Sequence, residues 1–181
     1  MLSDQDKQFL LKLARDTLEN SIKNKESKTE DIPPNLLKKG ATFVSLYIDN
    51  ELKNSIGSLF QNQEIFQDVI ENTISAASED PNFPQITEAD LDKVKIEISL
   101  VKNLTKLKFE TEEELFTKIV PHIHGVILKK NNRVSTLLPQ VWKQIPDKND
   151  FLTSLASKLE ANDYMINSEI STYETETFRE D

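Results

Sequence analysis

The side chains able to do chemistry are few and fall in two stretches. The chain carries only two histidines, His122 and His124. On an extended segment, positions two apart point to one face, so the pair could offer two imidazoles to a metal. A catalytic zinc takes three protein ligands, and no third ligand stands nearby in sequence, so no metal site is expected. The remaining readings of His124 are a hydrogen-bonded groove or core residue, or a base acting on a hydroxyl. Ser55 is the candidate hydroxyl. It becomes a nucleophile only beside a base, and otherwise is a small polar residue packed on a strand. Lys53 and Arg133 suit an anionic ligand or, equally, solvated hairpin charge. Gly57 marks a bulge, a strand end, or a close approach of backbone to a ligand. The three glycines, Gly40, Gly57 and Gly125, are too scattered to form a phosphate-cradling loop, and no cofactor is expected.

The elements that must position these residues can be read from spacing. Ser3, followed by Asp4 and Asp6, opens a helix whose Phe9, Leu10, Leu13, Leu18 and Ile22 form an inward stripe. Ala41 to Ile48 and Leu52 to Leu59 flank Asp49-Asn50 as a β-hairpin, with Thr42, Val44, Leu46 and Ile48 on one face. A helix follows over Gln63 to Ser78. Asp80-Pro81-Asn82-Phe83-Pro84 is a turn locked by prolines, or a groove wall. Thr87 and Asp90 suit a one-turn capping box. Val94 to Leu100 alternates cleanly, as a half-buried strand does. Thr111 caps a helix through Ile119. Ile123 to Lys129 and Arg133 to Leu138 flank Asn131-Asn132 as a second hairpin. Trp142 is expected to be a partly buried anchor or an interface hot spot. Asp150 to Leu159 is helical, and Ile170 to Phe178 forms a last strand. Helices interspersed with hairpins predict an α+β fold: a mixed, largely antiparallel sheet with packed helices.

Composition narrows the function class. The 181 residues fit one domain. The absence of cysteine removes disulfides, thiolate metal sites and cysteine nucleophiles. A net charge of −9 opposes nucleic-acid binding, which depends on neutralising phosphates. The basic clusters, Lys38-Lys39 and Lys129-Lys130 near Arg133, are too short to track a backbone. No apolar run approaches the roughly 20 residues needed to span a bilayer. No export signal opens the chain, so a cytoplasmic location is expected.

Four blocks recur in a known order and spacing. They are Asn54-Ser55-Ile56-Gly57, Ala76-Ala77-Ser78-Glu79-Asp80-Pro81-Asn82-Phe83-Pro84, His124-Gly125-Val126-Ile127 and Leu137-Leu138-Pro139-Gln140-Val141. With them the sequence resembles the AMMECR-type family along nearly its whole length. That family is named from a human gene in a deletion linking Alport syndrome, intellectual disability, midface hypoplasia and elliptocytosis. The resemblance implies a single domain over 1–181 with a larger and a smaller lobe, the smaller set around 62–92. It also implies a groove bordered by a Leu-Arg-Gly-Cys-Ile-Gly signature. Members sit beside or are fused to MEMO-type proteins and radical S-adenosylmethionine enzymes, so either is an expected partner.

The signature departs here, reading Leu52-Lys53-Asn54-Ser55-Ile56-Gly57. Arginine becomes Lys53, glycine becomes Asn54 and cysteine becomes Ser55. Two readings follow. One is a groove-based binding or partner module, associated with small-molecule or protein modification. Its ligand side would be Lys53, Asn54, Gly57 and Arg133. The other is an enzyme using Ser55 and His124 as a hydrolytic or transfer site. Loss of the cysteine favours the first.

Overall fold

The computed structural model describes residues 1–25, 29–78, 85–160, 164–165 and 168–181. Four helices, α1 (Asp4–Ile22), α2 (Ile65–Ser78), α3 (Glu112–Lys118) and α4 (Lys148–Ser157), are interspersed with eight strands. The strands are β1 (Lys39–Gly40), β2 (Thr42–Ile48), β3 (Glu51–Gly57), β4 (Gln63–Glu64), β5 (Val94–Lys106), β6 (Gly125–Lys130), β7 (Arg133–Leu137) and β8 (Ser168–Arg179). The pairings β1–β4, β2–β3, β2–β5, β6–β7 and β6–β8 are all antiparallel. The fold is α+β. Among the described residues, no helix is long and apolar enough to cross a membrane. The proline-locked turn expected at 80–84 lies outside the described residues.

The chain forms two compact units. Met1–Val101 with Glu176–Asp181 make the first, and Lys102–Thr175 the second. The segment 62–92, where the resemblance set a small lobe, lies within the first.

In the first unit, Ser3 begins α1 as its composition predicts. Its hydroxyl accepts from the Asp6 amide at 3.1 Å while the Asp6 carboxylate accepts from the Ser3 amide at 3.0 Å. Two helix-start donors are satisfied reciprocally. Asp49 and Asn50 have φ of 52° and 63°, the left-handed pair of a two-residue turn whose twist suits a hairpin. Strand alternation then sorts the sheet. Val44 and Leu46 of β2 and Ile96 and Ile98 of β5 face the helices and join Leu10, Ala14, Leu18 and Val69 in one core. Phe43, Ser45 and Tyr47 point to the opposite face.

The last residues of the chain are part of this unit. The Glu180 carboxylate accepts from Arg15, at 3.0 Å from Nε, and from the Ile96 amide at 2.8 Å. Arg15 also donates to the Leu91 and Val94 carbonyls at 3.0 and 2.7 Å. Lys7 pairs with Glu176 at 3.0 Å. Strand β8 runs through Arg179, and Glu176 and Glu180 stitch the acidic tail to α1 and β5.

In the second unit, Asn131 and Asn132 make the same kind of turn, with φ of 48° and 63°. Val126, Leu128, Leu137 and Ile170 pack with Leu115 of α3 and with Phe151, Leu152 and Leu155 of α4. Several boundaries differ from the sequence reading by one or two residues, β6 among them, which begins at Gly125 and not at Ile123. Helix α4 begins at Lys148 because Asp147 is the cap, accepting from the Asn149 and Asp150 amides at 2.8 and 3.0 Å. Strand β5 runs on to Lys106, past the end of its apolar alternation, because residues 103–106 are exposed and carry no burial signal.

Candidate functional site

The altered signature forms β3. A register shift between Leu46 and Tyr47 pairs Leu46 with Asn54 and Tyr47 with Leu52. Lys53 is the extra residue of this bulge. The bulge sets which way each neighbour faces. Asn54 turns to the helices, is buried, and donates to the Ala76 carbonyl at 2.9 Å. Its oxygen accepts from the Ser55 amide at 2.8 Å. Ser55 turns to the other face, directly opposite Ser45, and the two hydroxyls share a hydrogen bond of 2.8 Å. Among the described residues, Ser45 supplies the only side chain bonded to the Ser55 hydroxyl. Lys53 reaches Glu51 at 2.8 Å and holds its carboxyl below the usual range.

Gly57 lies against the ring of Phe43. A Cβ there would sit 2.2 Å from Phe43 Cδ1 and 2.6 Å from the Thr42 carbonyl oxygen. Gly57 ends β3, and the group that approaches its backbone is the Phe43 ring. Gly57→Ala should therefore destabilise the protein by about 1–3 kcal/mol through overpacking. Urea unfolding checks this, and Phe43→Leu in the same chain should recover part of the loss.

Beyond Ser45 the same face continues with Glu97, which is opposite Ser45 in register. The Tyr47 hydroxyl donates to Glu97 at 3.2 Å, and the Arg179 guanidinium lies 4.3 Å above the Tyr47 ring. Burial, reinforced by the Glu97 charge, pushes the Tyr47 hydroxyl from its ordinary 10 up to about 12. A raised value favours the neutral phenol in the folded state. The stability it contributes is complete below pH 10 and is lost as pH rises towards about 12. The difference between wild-type and Tyr47→Phe absorbance titrations at 295 nm should show one phenol ionising near 12.

Sequence reading missed the residue that anchors this strand. Asp68 is buried, and its carboxylate accepts from five donors. Oδ2 takes the Thr42 amide at 2.7 Å, the Thr42 hydroxyl at 2.6 Å and the Asn72 amide at 2.9 Å. Oδ1 takes Ser58 at 2.6 Å and Gln63 at 3.2 Å. The Thr42 carbonyl in turn accepts from the Ser58 amide at 2.9 Å. The end of β3 is thereby tied to β2 and α2. The available signal was spacing: Asp68 and Asn72 are four apart and share the inward stripe of Ile65, Val69 and Ala76.

The second unit holds His124 and Arg133. His122 adopts φ 66° in the turn before β6, so the two histidines do not share one face of an extended strand. Among the described residues no group of three or more His, Cys, Asp or Glu could hold a metal. The Val120 amide donates to His124 Nδ1 at 3.1 Å. A neutral imidazole that accepts at Nδ1 carries its proton on Nε2, so the ring presents a donor rather than a base. Trp142 Nε1 donates to the His124 carbonyl at 2.7 Å. Trp142 is fully buried and stacks on Phe151 at 3.6 Å between ring centroids, which makes it core rather than a partly buried anchor or an interface residue. Arg133 is exposed and lies 3.4 Å from Glu160. It stands at the opposite end of the β6–β7 hairpin from His124, about 20 Å away at the usual strand rise.

This α+β architecture, with a glycine-ended hairpin strand facing a polar row, is closely similar to a solved archaeal structure. The crystal structure of the uncharacterised protein PH0010 from Pyrococcus horikoshii matches with a TM-score of 0.92 and 27% identity, over 99% of this chain and 94% of that one. The chain belongs to the AMMECR1 family, which it matches over residues 11–178. Protein Mbar_A1807 of Methanosarcina barkeri is 29% identical, over 99% of this chain and 93% of its own length. Protein MK0488 of Methanopyrus kandleri is 32% identical, over 80% of this chain and 74% of its own.

Proposed function

We propose that this chain is a cytoplasmic binding module whose ligand side is the Ser55 face of the β2–β3–β5 sheet. The observation that carries the reading is the bond between the Ser55 and Ser45 hydroxyls. Serine catalysis needs a neighbour that takes the hydroxyl proton, and a second serine is no base at neutral pH. The partly exposed Ser55 hydroxyl, backed by the buried Ser45 and beside Tyr47 and Glu97, instead offers a donor and an acceptor for a polar ligand. Gly57 is covered by the Phe43 ring, which closes that end of the face. Lys53 adds a cation whose present partner is an exposed carboxylate, a pairing that is weak and readily exchanged. A small anionic ligand suits that arrangement. The alternative, a hydrolytic or transfer site using Ser55 and His124, gains no support from the hydrogen bonding of either residue.

Thermal shifts with the small-molecule fraction of a cell extract test the reading. The wild-type protein should be stabilised, Ser55→Cys should keep most of the shift, and Ser55→Ala should lose much of it. An equal shift in all three, or none in any, contradicts the proposal.

A further inference from the structure

We propose that His124 is a binding residue of the second unit, whose Nε2–H donates to the oxygen of a carboxylate joined to an apolar body. The inference is independent of the Ser55 face, since it concerns atoms of the second unit alone.

The ring is held by the fold. Its Nδ1 accepts from the Val120 amide at 3.1 Å, which leaves the proton on Nε2. Its own amide donates to the Val120 carbonyl at 2.9 Å, closing the turn. Its carbonyl is fixed by Trp142, which is itself buried and stacked on Phe151. The next residue, Gly125, is pressed against Tyr173, where a Cβ would come within 2.4 Å of the ring. Tyr173 is buried too, and its hydroxyl is bonded to Thr136 at 2.9 Å. His122 sits in the left-handed region at φ 66°, which turns the chain ahead of β6. Backbone and core together fix one imidazole in one orientation and one tautomer.

The outer nitrogen is left unused. Among the described residues, none hydrogen-bonds His124 Nε2. The residue is only partly buried, between the exposed Ile123 and the buried Gly125. A preorganised donor binds an acceptor at small entropic cost. Its surroundings define the rest of the ligand. Val120 and Ile123, which complete the turn, expose 41% and 51% of their surface. A charged acceptor makes the stronger hydrogen bond, and an aliphatic body covers the two apolar side chains. A short-chain carboxylate meets both demands.

The test uses the full chain labelled with ¹⁵N-histidine, with butyrate, acetate, butyramide and inorganic phosphate as probes. The two histidines are assigned with a His122→Gln variant. Long-range ¹H–¹⁵N spectra should show His124 protonated at Nε2 and bare at Nδ1. Butyrate should move the His124 Nε2 signal and the Val120 and Ile123 methyls saturably, leaving His122 still. Acetate and phosphate should need at least tenfold higher concentration, and butyramide likewise. His124→Asp keeps an acceptor for the Val120 amide but removes the donor, and should abolish the butyrate response of the two methyls. An Nδ1–H tautomer, no saturable response to butyrate, or an unchanged methyl response in His124→Asp overturns the proposal. Equal responses to butyrate and phosphate overturn the apolar part of it. Should His124→Asp fail to fold, the wild-type tautomer and titration decide the matter alone.

Discussion

Asp68→Ala should lower the stability of the protein by about 3–5 kcal/mol, because it strands donors that water cannot reach. Three of the five groups on this carboxylate are themselves buried: the Thr42 amide, the Thr42 hydroxyl and the Asn72 side chain. Each orphaned donor costs about 1–3 kcal/mol, and partial entry of water into the new space returns some of that. Ser58 and Gln63 lie nearer solvent and can rebond to water. Asp68→Asn should fall between wild type and Asp68→Ala. It keeps the volume but turns one acceptor into a donor aimed at other donors. Urea unfolding followed by circular dichroism gives the magnitude. Hydrogen exchange at the Thr42 amide gives the mechanism, since that proton should exchange far faster in both variants. A loss below about 1 kcal/mol would mean that the donors find other partners.

Trp142→Ala should cost about 3–5 kcal/mol, the range for deleting a large buried aromatic side chain. The indole is fully buried against Phe151 and donates to the His124 carbonyl. Trp142→Phe keeps an aromatic ring against Phe151 but removes the hydrogen bond and part of the indole volume, so its loss should be smaller, about 1–3 kcal/mol. Urea unfolding by circular dichroism measures both. Trp142 is the only tryptophan, so intrinsic fluorescence excited at 295 nm is available for the wild type alone. The Phe variant separates packing from positioning. In it the His124 turn should loosen, seen as faster exchange of the His124 amide, while the fold persists.

These two residues also show where sequence reading stops. Caps and turns are local chemistry, and they were legible. Ser3 with Asp6, Thr111 with Glu114, and the Asp49-Asn50 and Asn131-Asn132 turns stand where composition placed them. The β5 alternation through Leu100 predicted its dry face because periodicity reports one-sided burial directly. Asp68 was passed over because a helical aspartate is usually solvated, and only its distant donors reveal that this one is not. Asp147 and Asp150 both satisfy the pattern of a helix start, and only backbone geometry shows that Asp147 caps. Burial of Trp142 depends on Phe151 of another element, which no local pattern encodes.

The signature strand was located from its residues, but its facing was not. The facing of Asn54 and Ser55 follows from the bulge at Lys53, and a bulge is a property of two paired strands. The same limit applied to His124. Sequence reading began the strand at Ile123 and so set His124 within it, whereas β6 begins at Gly125 and His124 closes a turn through the Val120 backbone.

The central claim is that the Ser55 hydroxyl belongs to a binding face and is not an activated nucleophile. Treating the folded protein with a fluorophosphonate, and then mapping adducts by mass spectrometry, tests this most directly. Ser55 should stay unmodified under conditions that label an ordinary serine hydrolase completely. A stoichiometric adduct on Ser55, absent from Ser55→Ala, would contradict it.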